Sequence, residues 1–165
     1  MHLIGYGNPG RCDDGLGPAF AARIADRSLA GLKVLTDYQL TVDHALKIAE
    51  ARQVVFVDAL MGDPAPFRFT RVGPSITSDL SSHSLAPESV LALARTLFSA
   101  EPPAYVLGIS GREFGKIREG LSREAEENLR LAEAFFLGWH ENQDSEGAAA
   151  ACVDAEISLQ EPYWG

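Results

Sequence analysis

Leu3-Ile-Gly-Tyr-Gly-Asn-Pro-Gly-Arg-Cys-Asp-Asp-Gly-Leu-Gly17 is the stretch on which the fold turns. An apolar start runs into a glycine-rich turn. The turn carries Asn8 and two adjacent acids, Asp13 and Asp14. An apolar-periodic segment follows, with Leu16, Phe20 and Ile24 on one helical face. This is how the first strand of an open α/β sheet hands over to a helix, and such folds keep their ligands at that hand-over. The loop is built to bind a phosphate, a metal or nothing.

Working outward, strand and helix signals alternate. A short buried strand at 2–7 precedes a helix at 14–28. A second strand, Leu32–Thr36, ends at Asp37, and a second helix covers Val42–Ala51 with Thr41 as its cap. Gln53-Val-Val-Phe-Val-Asp58 is an almost continuous apolar run, as a strand covered on both faces requires. Pro66–Val72 alternates with period two and reads as an antiparallel or edge strand. A polar loop, Ser75–Ser84, leads to a helix at Pro87–Leu97. Tyr105–Ile109 is the last strand, and Ser122 caps a long helix reaching about Trp139. The pattern predicts a three-layer, doubly wound, mostly parallel sheet of about five strands, order 2-1-3-4-5, with helices on both faces. Residues 1–140 form one domain, and 141–165 read as a flexible tail.

The 165 residues suit a single domain with a substantial core. A net charge of −9 argues against a nucleic-acid partner, which needs clustered Lys and Arg. Two cysteines, Cys12 and Cys152, make neither a disulfide framework nor a Cys-x-x-Cys metal pair, and they point to a reducing compartment. No signal peptide and no membrane-length apolar run is expected. Monomer is the default state.

Gly5, Gly7 and Gly10 formally match a dinucleotide-binding Gly-x-Gly-x-x-Gly, and Asp37 stands where a ribose-binding acid would. Against a nucleotide, Asp13 and Asp14 would repel a pyrophosphate, and Arg11–Asp13 delay the helix. The alternative is a cation. Asp13 reads as capping or loop structure. Asp14 points toward the carboxyl edge of the sheet. Asp58 ends an apolar strand, where a carboxylate is costly unless it is paired, hydrogen-bonded or metal-bound. In a 2-1-3 arrangement the loops bearing Asp14 and Asp58 face one crevice. His83 would complete a two-carboxylate, one-imidazole set that suits Zn²⁺ or Ni²⁺ with positions left open. His44 and His140 read as solvated, and His2 lies at the opposite edge of the sheet. Gly108-Ile-Ser110-Gly-Arg112 misses the nucleophile-elbow pattern. With Asp58 and His83 as partners for Asp14, the glycines of the first loop read as clearance for a metal-bearing protein tail rather than as a nucleotide cradle.

These residues resemble the [NiFe]-hydrogenase maturation endopeptidases. The likeness is carried by Gly5–Gly17, by Tyr38-Gln-Leu-Thr41, by Val55-Phe-Val-Asp58-Ala, by Ser82-His83-Ser-Leu-Ala-Pro-Glu-Ser-Val-Leu91, and by Gly108-Ile-Ser-Gly-Arg-Glu-Phe114 with Gly120-Leu-Ser122. It spans residues 3 to about 135. Gly115-Lys-Ile-Arg-Glu119 departs from the usual Glu-Phe-Gly-Glu run. The resemblance implies a cytoplasmic α/β endopeptidase that removes a C-terminal extension from the precursor of a [NiFe]-hydrogenase large subunit after nickel insertion. It places metal contact and catalysis on Asp14, Asp58 and His83, with nickel supplied by the precursor and Zn or Cd able to substitute in the isolated protein. Two other readings stay open: a nucleotide-binding α/β enzyme using Gly5, Gly7 and Gly10, and a non-catalytic metal-sensing or binding module of the same fold.

Overall fold

The computed structural model of the protein describes residues 1–75 and 85–145. Five strands form one sheet: β1 (His2–Tyr6), β2 (Lys33–Asp37), β3 (Val54–Met61), β4 (Phe67–Val72) and β5 (Ala104–Gly111). Four α-helices cover it: α1 (Leu16–Asp26), α2 (Asp43–Ala49), α3 (Pro87–Phe98) and α4 (Arg123–Ser145). A 3₁₀ turn at Cys12–Gly15 leads into α1. No helix among the described residues is long and apolar enough to cross a membrane.

The strand order is β2-β1-β3-β5-β4, with only β4 antiparallel. The expected order 2-1-3-4-5 is therefore corrected at its end. The connection 62–66 is too short for the helical crossover that a parallel neighbour of β3 needs, so β4 must run back. β5 is buried along nearly its whole length, whereas only Phe67 and Phe69 of β4 are buried. The strand that is apolar on both faces takes the central place, and the alternating one takes the edge.

The side chains divide by sheet face. Leu3, Val55, Val57, Leu107 and Ile109 pack with Leu16, Phe20 and Ile24 of α1 and Leu129 and Phe136 of α4. Ile4, Tyr6 and Phe56 pack with Ala45 and Ile48 of α2 and Val90 and Leu91 of α3. On the first face α4 seats on the aromatic edge of the sheet. Phe69 stacks on Tyr105 at 5.0 Å, and Trp139 stands edge-on to both. Arg27 forks onto Glu133 and ties α1 to α4. Pro18 falls in the first turn of α1, where a missing N–H costs nothing.

α4 runs to Ser145 rather than stopping near Trp139. His140 therefore lies one turn past Phe136 on the inward stripe, is buried, and stacks on that ring. His44 is also buried. Its Nδ1 accepts from the Thr41 N–H at 3.1 Å, closing the start of α2, and its Nε2 faces Asp37 at 3.8 Å. Burial pushes this imidazole down from its ordinary value. Neither histidine is solvated, contrary to the expectation from sequence.

Candidate active site

The hand-over from β1 to α1 is locked before it offers anything to a ligand. Asn8 Oδ1 accepts from the Gly10 N–H at 2.9 Å, an Asx turn that reverses the chain. Residues 10–13 are then strapped to the loop after β5. Arg118 N–H donates to the Gly10 carbonyl, Cys12 N–H to the Arg118 carbonyl, and Asp13 N–H to the Glu113 carbonyl, at 2.8 to 3.0 Å. Residues 115–119 supply part of this strap through the backbone of Arg118. Cys12 is fully buried beneath it and holds φ at +52°.

Asp13 is the pin of this assembly. It is fully buried. Its carboxylate accepts from the backbone N–H groups of Arg112, Glu113 and Ser122 and from the Ser122 hydroxyl, at 2.7 to 2.8 Å. Burial alone would raise this carboxyl. The four donors together outweigh burial and hold it below the usual carboxylate range. Ser122 in turn accepts from the Ala125 N–H, the cap expected for α4. Asp13 is thus loop structure, as its place in the sequence indicates.

The glycines serve the same locking. A Cβ on Gly17 would stand 2.2 Å from the Tyr6 carbonyl and 2.5 Å from that of Val57. One on Gly7, whose φ is +139°, would stand 2.1 Å from the Asp14 carbonyl. The space a side chain would take is filled by the chain's own backbone, which lets α1 sit hard against β1 and β3. That corrects the reading of these glycines as clearance for a metal-bearing protein tail.

Toward the carboxyl edge of β1 and β3 stand Asp14 and Asp58. Asp14 leaves the 3₁₀ turn half-buried, with Oδ2 accepting from the Asn8 N–H at 3.2 Å. Asp58 continues β3 past the apolar run Val54–Val57, all of it buried. Its Oδ1 accepts from the Ala59 N–H at 2.7 Å. Its carboxyl is pushed up to about 6, mainly by burial and further by the negative charge of Asp14. The Ala59 N–H and the nearby Tyr6 hydroxyl pull the other way. Strand order brings the two acids to one crevice, as the 2-1-3 arrangement requires.

His83 lies outside the described residues. Among those residues no cluster of three or more His, Cys, Asp or Glu side chains is placed to hold a metal. The fit of the described pair to a cation rests on its chemistry: two neighbouring carboxylates, one raised by burial and by the other's charge, are relieved by a positive ion between them. Other groups offer less. Ser110 is buried, and its hydroxyl donates to the Ala65 carbonyl. A cleft of about 860 Å³ lies at the opposite edge of the sheet, lined among others by His2, Lys33, Arg52 and His140, and includes neither acid.

Tyr6 reads from sequence as core in an apolar strand, and it packs in the layer under α2 and α3.

No protein-family model and no curated protein matches the sequence. Solved structures do match its shape. The HycI maturation protease of Thermococcus kodakarensis KOD1 has a TM-score of 0.63 at 24% identity over 81% of this chain and 88% of its own. The HybD maturating endopeptidase of E. coli has a TM-score of 0.61 at 16% identity over 86% and 92%. The endopeptidase HycI from Escherichia coli has a TM-score of 0.60 at 19% identity over 94% and 99%. The chain therefore has the fold of the hydrogenase maturation proteases.

Proposed function

We propose that this protein is the endopeptidase that removes the C-terminal extension from a [NiFe]-hydrogenase large-subunit precursor once nickel is in place. One observation carries the reading. Within the fold of the HycI and HybD proteases, Asp14 and Asp58 stand at the carboxyl edge of β1 and β3 as neighbouring carboxylates with lone pairs left open. Asp14, Asp58 and His83 would grip the nickel that the precursor carries, so that a filled precursor is told from an empty one. Nickel belongs to the substrate, and Zn²⁺ or Cd²⁺ would take its place on the isolated protein. Hydrolysis then breaks one peptide bond beside that ion. A carboxylate at the ion, Asp14 or Asp58, would receive the proton of the attacking water. The cytoplasm and a monomer go with this reading.

The test is processing of a nickel-loaded precursor by the purified protein, followed as a shift in gel mobility. Wild type should shorten the precursor, and His83→Ala should fold normally yet leave it intact. Full activity in His83→Ala sinks the site assignment. A wild-type protein that binds the precursor but never shortens it makes the chain a non-catalytic binding module of the same fold.

A further inference from the structure

Three large hydrophobic side chains follow one another into water where β2 gives way to α2. Tyr38 is 68% exposed, Val42 57% and Leu46 55%. Tyr38 is the first residue past β2, and Val42 immediately precedes α2. Val42 and Leu46 lie about one turn apart, on the face of α2 turned away from the buried His44, Ala45 and Ile48. A single exposed hydrophobic needs no reason, but a run of them on one surface does. The run is also held still. His44 Nδ1 accepts from the Thr41 N–H at 3.1 Å, and the Thr41 hydroxyl stands 3.1 Å from the same nitrogen. The His44 N–H returns to the Thr41 carbonyl at 3.1 Å. The Leu40 carbonyl accepts from the Leu85 N–H at 3.1 Å, and the Tyr38 N–H donates to Asp37 Oδ1 at 2.7 Å. A buried imidazole thus clamps the loop while the Tyr38 ring stays in water. This loop borders the crevice: the Asp37 carbonyl accepts from the Gly7 N–H at 3.2 Å, and the next residue, Asn8, donates its N–H to Asp14.

Resting on the endopeptidase reading above, we infer that Tyr38, with Val42 and Leu46, is the docking patch for an apolar stretch of the precursor chain beside its metal. The patch is continuous with the crevice. An ion held at Asp14 brings the chain that carries it against the loop that Gly7 shares with Asp37. A tyrosine has only two side-chain torsions to fix, so it gives a large contact at small entropic cost. The loop beneath it is already ordered, which removes a further cost of binding. A second exposed pair, Leu97 and Phe98, lies elsewhere. It ends α3 just before β5 begins, and β5 starts opposite Val54, at the edge of the sheet away from the acids.

The experiment compares the full chain as wild type, Tyr38→Ser, Leu46→Ser and Leu97→Ser, each with the nickel-loaded precursor. Fluorescence anisotropy gives the affinity, and gel mobility over time gives KM and kcat. All three side chains are more than half exposed, so their loss leaves the core intact, and Leu97 controls for removal of an exposed leucine as such. Expected in Tyr38→Ser are an affinity lower and a KM higher by about tenfold or more, and in Leu46→Ser a change of about threefold, with kcat unchanged in both and Leu97→Ser like wild type. Wild-type affinity and KM in Tyr38→Ser overturn the patch and leave the endopeptidase standing. So does an equal loss in Leu97→Ser. A lower kcat at unchanged KM overturns it as well, because it moves Tyr38 from docking into the chemistry. Binding without cleavage by wild type sinks the endopeptidase reading, and the affinities of the variants still decide the patch. No binding of the precursor by wild type overturns both. A wild type that self-associates, and that Leu46→Ser renders monomeric, gives the patch to a second copy and overturns the precursor as its occupant.

Discussion

Asp13 and Asp58 both end up largely out of water, and their environments treat them in opposite ways. Asp13 meets four donors drawn from Arg112, Glu113 and Ser122, and its carboxyl is held down. Asp58 meets the Ala59 N–H, stands near the Tyr6 hydroxyl and the charge of Asp14, and is pushed up to about 6. Donor supply makes the difference. A carboxylate with its lone pairs filled is a rivet and has nothing left to give a cation or a proton. One that is buried with lone pairs to spare is costly to the fold and available for chemistry.

The largest effect that could break this contrast is loss of the rivet. Asp13→Ala leaves three backbone N–H groups without their acceptor in a buried place, at about 1–3 kcal/mol each. Urea unfolding should show a loss of at least about 3 kcal/mol, and a loss under about 1 kcal/mol would mean that those donors re-pair easily. The sign with pH follows from the direction of the shift. A carboxyl lowered on folding contributes stability that is complete above its ordinary value of 3.8 and is lost only as pH falls through the folded value. Asp58→Asn should go the other way. The folded protein holds the Asp58 proton more tightly than the unfolded chain does, so between pH 3.8 and about 6 stability falls as pH rises. Removing that charge should stabilise the protein by about 2 kcal/mol at about pH 8, with the gain closing as the pH approaches 4. Destabilisation by Asp58→Asn across the whole range would show that Asp58, too, is structural.

Much of this contrast is legible in sequence, but unevenly. The apolar run 54–57 ending in Asp58 marks both a central strand and an acid that needs a reason. Alternation at Phe67 and Phe69 marks an edge strand. Asp13 is recognisable as loop structure from its place before a helix, yet its partners lie about a hundred residues away in the chain and no local pattern names them. The swap of β4 and β5 follows from a short connection and from which strand is buried on both faces, a comparison visible only once both strands are weighed together. His44 and His140 are missed because helical phase, not residue type, decides their burial. The loop glycines match a nucleotide motif because strand–helix contact and pyrophosphate approach ask for the same missing Cβ. His83, the imidazole that the sequence adds to the pair as an expectation, falls outside the described residues.

Two smaller effects sharpen what holds the rivet. Ser122 gives Asp13 a backbone N–H and a hydroxyl, and the hydroxyl also receives the Ala125 N–H. Ser122→Ala keeps the backbone donor and removes the rest, so unfolding should show a loss of about 1–2 kcal/mol, as for an N-cap. Arg112 is the subtler case. Its backbone N–H donates to Asp13 at 2.8 Å, while its guanidinium reaches Glu124 at 2.8 Å with both side chains about half exposed. Exposed ion pairs of this kind contribute about 0–1 kcal/mol, because water screens them and two long side chains must be held still. Arg112→Ala retains the donor that matters and discards only the pair, so its effect should stay within about 0.5 kcal/mol and shrink with added salt. A loss above about 1 kcal/mol that persists at high salt would transfer the pinning from the backbone of the loop after β5 to a side chain, and the contrast with Asp58 would then have to be drawn on charge pairing instead of donor supply.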